Sequence, residues 1–166
     1  GEPFGMEVSS TRALTIRRIE GGILGNLTDI DITINPYEAG LTPFVNLNKG
    51  DFIGRDALLN CNRRPLLLGL TCKDAIPGAG NFVFMQGEPV GQITAGVPSP
   101  TLSLGIGYIR FFKPGNWIGS TLQLKLSDGS VCSCNIVELP FFDKKKEIVR
   151  GINREIPERN LIAPPI

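Results

Sequence analysis

The sequence predicts an α+β protein that is mostly β, with a short N-terminal helix and an extended segment followed by six short strands closing a small barrel or sandwich. Three observations predict it. Twenty Gly and 13 Pro punctuate 166 residues and separate runs rich in Val, Ile, Leu and Phe, the pattern of short strands joined by turns. A helix-like spacing stands near the start. From Pro65 onward the runs are strand-like and recur with turn signals between them.

The helix is expected where Ala13, Leu14, Ile16 and Ile19 follow Ser10 and Thr11, with Gly21 and Gly22 as its stop. Leu24 to Ile34 reads as irregular, extended chain, with Asp29 and Asp31 flanking Ile30. Asn35-Pro36-Tyr37-Glu38-Ala39-Gly40-Leu41 breaks any helix. It reads most simply as a turn and then a strand, with its charges solvated, before Asp51-Phe52-Ile53-Gly54 opens a short helix over Arg55 to Asn60. Strands are predicted at Leu66 to Cys72, Phe82 to Met85, Pro89 to Ala95, Gly105 to Arg110, Thr121 to Leu126 and Ser130 to Leu139. Gln86-Gly87-Glu88 and Ser127-Asp128-Gly129 suit hairpin turns. From Asp143 the chain becomes charged, with Lys144, Lys145 and Lys146 among alternating acids and bases, and reads as a weakly ordered surface tail.

Composition narrows the function classes. A 42% apolar fraction supports a packed core. Seventeen Lys plus Arg against 16 Asp plus Glu give no polyanion-binding balance, so nucleic acid is not an expected partner. No apolar run is long enough to span a bilayer, and the start has no basic segment followed by an apolar one; a soluble, cytoplasmic protein with no membrane partner is the expectation. The absence of His removes Ser-His-Asp and Cys-His triads and His-metal chemistry. Cys61, Cys72, Cys132 and Cys134 lack knuckle spacing and read as buried or half-buried thiols, with Cys132 and Cys134 on one face of a strand and no metal site expected. Trp117 reads as packing.

Three constellations stand out. In Arg17-Arg18-Ile19-Glu20-Gly21-Gly22 a carboxylate closes a helix, against the macrodipole, and such breaks of a local rule gather at functional positions. A carboxylate fork matches a ligand edge carrying an amino group beside a ring N–H, as pterins and guanines do; on spacing alone a salt-bridged helix end is the simpler reading. The second is the Asn35 to Leu41 segment with Lys49-Gly50-Asp51-Phe52-Ile53-Gly54. The third is Thr94-Ala95-Gly96-Val97-Pro98-Ser99-Pro100-Thr101-Leu102, a strand running into a rigid Pro-Ser-Pro loop, for which a structural role is the expectation.

Taken in order, these segments resemble the C-terminal portion of the glycine cleavage T-protein family of aminomethyltransferases, which includes dimethylsulfoniopropionate demethylases and the C-terminal regions of dimethylglycine and sarcosine dehydrogenases. Arg17-Arg18-Ile19-Glu20-Gly21-Gly22 is similar to the family's Arg-Leu-Glu-Ala-Gly segment. Asn35-Pro36-Tyr37-Glu38-Ala39-Gly40-Leu41 with Asp51-Phe52-Ile53-Gly54 is similar to its Asn-Pro-x-Glu-Ala-Gly-Leu and Asp-Phe-Ile-Gly, and residues 94–102 to its Thr-Ser-Gly-x-x-Ser-Pro-Thr-Leu. The likeness runs over residues 1–142.

The resemblance implies a division into the incomplete end of a folate-binding domain at 1–62, a six-stranded antiparallel barrel of the aminomethyltransferase C-terminal type at 63–142, and a surface tail at 143–166. It implies tetrahydrofolate as cofactor, with Glu20 gripping the pterin and Lys49 as the nearest candidate for the basic residue that assists in some relatives. The tyrosine that some relatives place after the final Pro-Phe is replaced here by Phe142 and Asp143, so that contact is not implied. The acid that orients the transferred carbon lies, in the family, N-terminal to this chain. The expected function is therefore one part of a one-carbon transfer from an amine or sulfonium donor to tetrahydrofolate, completed by a missing N-terminal segment or partner chain, with a homo-oligomer as a further option. Alone, the chain is expected to catalyse little. A non-catalytic folate-sensing or assembly domain is the alternative, and a barrel adaptor without folate a third reading. An exposed apolar face on the helix from Leu14 to Ile19 would accompany a missing domain.

Overall fold

A computed structural model describes Pro3 and residues 9–155 of the chain. Helix α1 (Thr11–Glu20) starts where Ser10 turns extended and its hydroxyl accepts from the Ala13 N–H, satisfying a donor that the first turn leaves free. It ends in a two-bond cap: Gly22 N–H donates to the Ile19 carbonyl and Ile23 N–H to that of Arg18. The geometry requires a left-handed residue between them, and Gly22 supplies it at φ 69°.

The Asn35 to Leu41 segment winds into one helical turn. The Asn35 side chain accepts from the Tyr37 and Glu38 N–H groups, and Glu38 returns a carboxylate to the Asn35 N–H, a reciprocal cap. The Glu38 charge is thus used locally rather than simply solvated. Its carbonyl accepts from both Leu66 and Leu67, which ties the turn to the barrel. No strand follows it, against the sequence reading: Thr42–Phe44 is a 3-10 turn with proline in its first turn, a residue that starts helical turns and cannot donate to a ladder. Helix α2 (Arg55–Asn60) forms where expected.

The strands are β1 (Leu67–Cys72), β2 (Phe82–Met85), β3 (Glu88–Ser99), β4 (Leu104–Phe111), β5 (Thr121–Lys125) and β6 (Val131–Val137). They pair antiparallel in the closed order β1-β4-β3-β2-β5-β6, so the predicted six-stranded antiparallel barrel is the fold. Met85 pairs with Glu88 across Gln86 and Gly87, both at positive φ, the twist that a two-residue hairpin needs. The largest departure is β3, which runs four residues past Ala95 and absorbs the expected Pro-Ser-Pro loop as far as Ser99. Beyond Gln92 its only strand partner is β4, so the missing donor of Pro98 interrupts no second ladder.

Two cores use the two faces of the same strands. Leu68, Leu70, Cys72, Val83, Ile93, Ile109, Phe111, Leu124 and Ile136 fill the barrel, and Trp117 stacks on Phe111 at 4.4 Å. On the outer face, Ile106 and Tyr108 of β4 and Val97 of β3 pack against Ile19 of α1. The α1 face from Leu14 to Ile19 is therefore not exposed as a whole: Leu14 is open, but Ile19 is fully buried against the barrel. Residues 143–155 turn back toward α1, where the Lys146 ammonium donates to the Gly21 carbonyl at 2.9 Å. The rest of the predicted tail, 156–166, lies outside the described residues.

Candidate functional site

The site forms where the end of α1 meets the ends of β3 and β4. Glu20 is 2% exposed. Its Oε1 accepts from the Ser99 hydroxyl at 2.6 Å and its Oε2 from the Arg17 guanidinium at 3.2 Å. Ser99 is itself held by the Leu102 N–H, which donates to its Oγ at 3.1 Å. The Glu20 carbonyl accepts from Phe142 N–H. Segments distant in sequence thus converge on one acid, and the helix-end carboxylate that breaks the dipole rule gains two donors in exchange.

A second buried acid is held five residues back along β3. Asp29 is 1% exposed and accepts from Arg18 at 2.6 Å, from the Gly25 N–H at 2.7 Å and from the Thr94 hydroxyl at 2.7 Å. The two hydroxyls of the Thr94 to Ser99 motif therefore each hold one buried carboxylate of the N-terminal segment. Between them, the Tyr108 hydroxyl lies 3.1 to 3.3 Å from the carbonyls of Ile23, Ile19 and Arg18. Burial holds its phenol well above the usual range, so it serves as a neutral donor.

Of the two predicted ligand-binding residues, the structure places only Glu20 in this cluster. Lys49 is exposed, with its ammonium over the Phe52 ring at 4.4 Å, and the partners of Glu20 are Ser99 and Arg17 instead. Asp29, Thr94, Arg18 and Tyr108 were not singled out as site residues from sequence; Thr94 and Ser99 entered only as letters of a motif. Ile16 and Arg12 stand one and two turns before Glu20 on α1 and line, with Asp74, Pro98, Ser99 and Leu104, a cavity of about 690 Å³. That is a volume typical of small-molecule sites. Ser99 lines this cavity, whereas its partner Glu20 does not. Among the described residues no group of three or more His, Cys, Asp and Glu side chains is arranged to hold a metal ion, and no helix is long and apolar enough to cross a membrane.

Residues 66–143, from the start of β1 to just past β6, match the family described as glycine cleavage T-protein C-terminal barrel domain. In its C-terminal part the chain belongs to the glycine cleavage T-protein family. The likeness to T-proteins also extends upstream of the barrel, since the matches cover more of the chain than residues 66–143. Aminomethyltransferases of Halothermothrix orenii and Thermotoga maritima are each 35% identical to it, over 149 and 146 residues, or 85% and 86% of the chain. The aminomethyltransferase of Lysinibacillus sphaericus is 32% identical over 133 residues. The crystal structure of glycine cleavage system aminomethyltransferase T from Bartonella henselae superposes with a TM-score of 0.65 at 27% identity, over 78% of this chain and 38% of that one. The chain spans only 36% to 40% of the length of these three sequence relatives.

Proposed function

We propose that this chain is the C-terminal part of a tetrahydrofolate-dependent aminomethyltransferase or demethylase, in which Glu20 binds the pterin and a further segment or partner chain completes the channel. The observation that carries the reading is the Glu20–Ser99 hydrogen bond. It fixes a carboxylate at the junction of the N-terminal piece and the barrel without using up its acceptors: an ionised carboxylate has about four lone-pair sites, and Ser99 and Arg17 occupy two. The others could accept an amino group and a ring N–H presented side by side, provided the groups that leave Glu20 2% exposed move aside.

The first 62 residues fit the end of a folate domain whose remainder packs elsewhere. Leu14, Ile23, Leu27, Ile32, Phe44 and Ile53 are all at least 60% exposed there, a concentration of open apolar surface suited to a covering segment. The donor of the one-carbon group, an amine or a sulfonium, would be bound mainly by that covering part. Lys49 joins the site only if completion of the channel moves its loop toward Glu20.

The alternative, a non-catalytic folate-sensing or assembly domain that keeps the family fold, draws on a different observation: Glu20 is almost wholly enclosed and both of its oxygens already have protein partners. Calorimetric titration with tetrahydrofolate, repeated on Glu20→Ala, separates the readings. Saturable binding by the chain that disappears in the variant supports the pterin site. Equal binding by both removes Glu20 from it. Binding that raises thermal stability, as a ligand of the native state must, but supports no transfer when the covering segment is supplied favours the sensing role.

A further inference from the structure

Three of the four cysteines meet inside the barrel, and no part of the folate reading uses them. Cys72 closes β1, and Cys132 and Cys134 lie on one face of β6. Cys72 is opposite Cys134 in the strand register, yet it is the Cys132 sulfur that lies 3.3 Å from its own. Both are free thiols, as are Cys61 and Cys134. The Cys72 thiol lies 3.1 Å from the Ser133 carbonyl and can donate to it, which leaves its sulfur lone pairs toward Cys132.

We propose that Cys72 and Cys132 form a dithiol modification site, which a peroxide converts to a disulfide joining β1 to β6.

Cys132 is the entry point, because it is half-buried whereas Cys72 and Cys134 are buried. As thiolate it attacks one peroxide oxygen, forming S–O as the O–O bond breaks, and the departing hydroxide takes up the proton that Cys132 released. Cys72, as thiolate, then attacks the Cys132 sulfur, forming S–S and expelling a second hydroxide, which takes the Cys72 proton. Two thiols and one peroxide become one disulfide and two waters; the sulfur pair loses two electrons and the peroxide gains them.

Proximity selects the second step. A disulfide needs its sulfurs about 2 Å apart, so side-chain rotation must close a gap of little more than 1 Å from the present separation. Cys134 is a poorer partner for Cys132: same-face neighbours on a strand stand about 6.6 Å apart along the chain, near the upper end of the disulfide range, whereas the Cys72 sulfur already lies 3.3 Å from that of Cys132. Cys61 follows α2, outside the β-ladders. The bridge would also reach the cavity beside Ser99: Lys73 and Asp74 directly follow Cys72, Ser130 lies two residues before Cys132, and all three line that cavity. Oxidation would tie two of its walls together.

Burial first, and then Cys72 and the nearby Asp74, push the Cys132 thiol up to about 12. Thiolate is scarce at neutral pH, and the reaction belongs in mildly alkaline buffer. The test treats the full folded chain with hydrogen peroxide, alkylates the remaining thiols and maps the peptides by mass spectrometry without reduction. The expected product is a Cys72–Cys132 linked peptide, two hydrogens lighter than its parts and released by dithiothreitol, with Cys61 and Cys134 alkylated. Cys132→Ala should abolish the product, and Cys61→Ala should leave it unchanged. Four alkylated thiols, a sulfinic acid at Cys132 beside a free Cys72, or a link between another pair would each overturn the proposal. The mapping on the unmodified sequence decides it even if a variant folds poorly.

Discussion

The Ser99 hydroxyl donates to Glu20 Oε1 across 79 residues of sequence, and both side chains are 2% exposed. Ser99→Ala leaves that carboxylate buried with Arg17 as its remaining side-chain donor, and the Arg17 side chain is 62% exposed. An exposed arginine adds little to such a pair. The variant should lose about 1.5–3 kcal/mol, the cost of removing a donor from a buried charged acceptor, read as a lower urea midpoint at unchanged slope. A change under about 0.5 kcal/mol would mean that water replaces the hydroxyl.

Asp29 should matter more than either hydroxyl. Its carboxylate holds Arg18, the Gly25 backbone and Thr94 at once, and Arg18 keeps only 26% of its side-chain exposure. Asp29→Ala leaves a partly buried guanidinium without its anion and frees two further donors. The expected loss is about 3 kcal/mol, toward the low end for a broken buried pair. Thr94→Val, which removes one of three donors to that carboxylate, should cost about 1.5 kcal/mol, the low end for a hydrogen bond to a charged group, and the order of the two urea midpoints checks the assignment.

Gly96 and Gly105 give a third test, on the seam that carries Ser99. A Cβ added at Gly96 would collide with the Pro77 carbonyl oxygen, and one at Gly105 with that of Ala75. Neither glycine is at positive φ, so the demand is for space and not for conformation. The obstacle in each case is backbone, which cannot rotate away as a side chain does. Gly96→Ala should therefore cost about 3 kcal/mol or more, at or past the top of the range for ordinary overpacking, and thermal unfolding should show it as a drop of several degrees.

How much of this was legible in the sequence depended on the range of the interaction. The Gln86-Gly87 turn, the start of α1 at Ser10 and its stop at Gly22 are local decisions, made by residues within a few positions, and they could be read directly. Glu20 was visible because it breaks a local rule, but the hydroxyl that satisfies it is distant in sequence, and no local pattern links them. Asp29 reads as one of two acids flanking Ile30 in an irregular, extended stretch; only folding shows that Asp29 is enclosed while Asp31 stays exposed. β3 was cut short at Ala95 because Pro98 and Pro100 read as loop residues. The edge that tolerates Pro98 is free because β3 outruns its shorter neighbour β2 past Gln92, which only the strand pairing shows.

The thiols make the last prediction, on stability against pH. Burial pushes both Cys132 and Cys134 up to about 12 from an ordinary value of 9.0. A group whose folded pKa is raised favours the fold while it stays protonated, and unfolding above the ordinary pKa releases its proton. The native state then binds more protons than the unfolded state, so stability falls as pH rises. The contribution should be complete below about pH 9 and lost progressively from there toward 12. Cys134 should dominate because it is the buried one; Cys132 is half-buried and solvent screens its share. Urea titrations at intervals across that window should show a steeper decline for the natural sequence than for Cys134→Ala, which has one fewer group to ionise. Parallel slopes would mean that the Cys134 thiol is not held protonated by its place in the barrel.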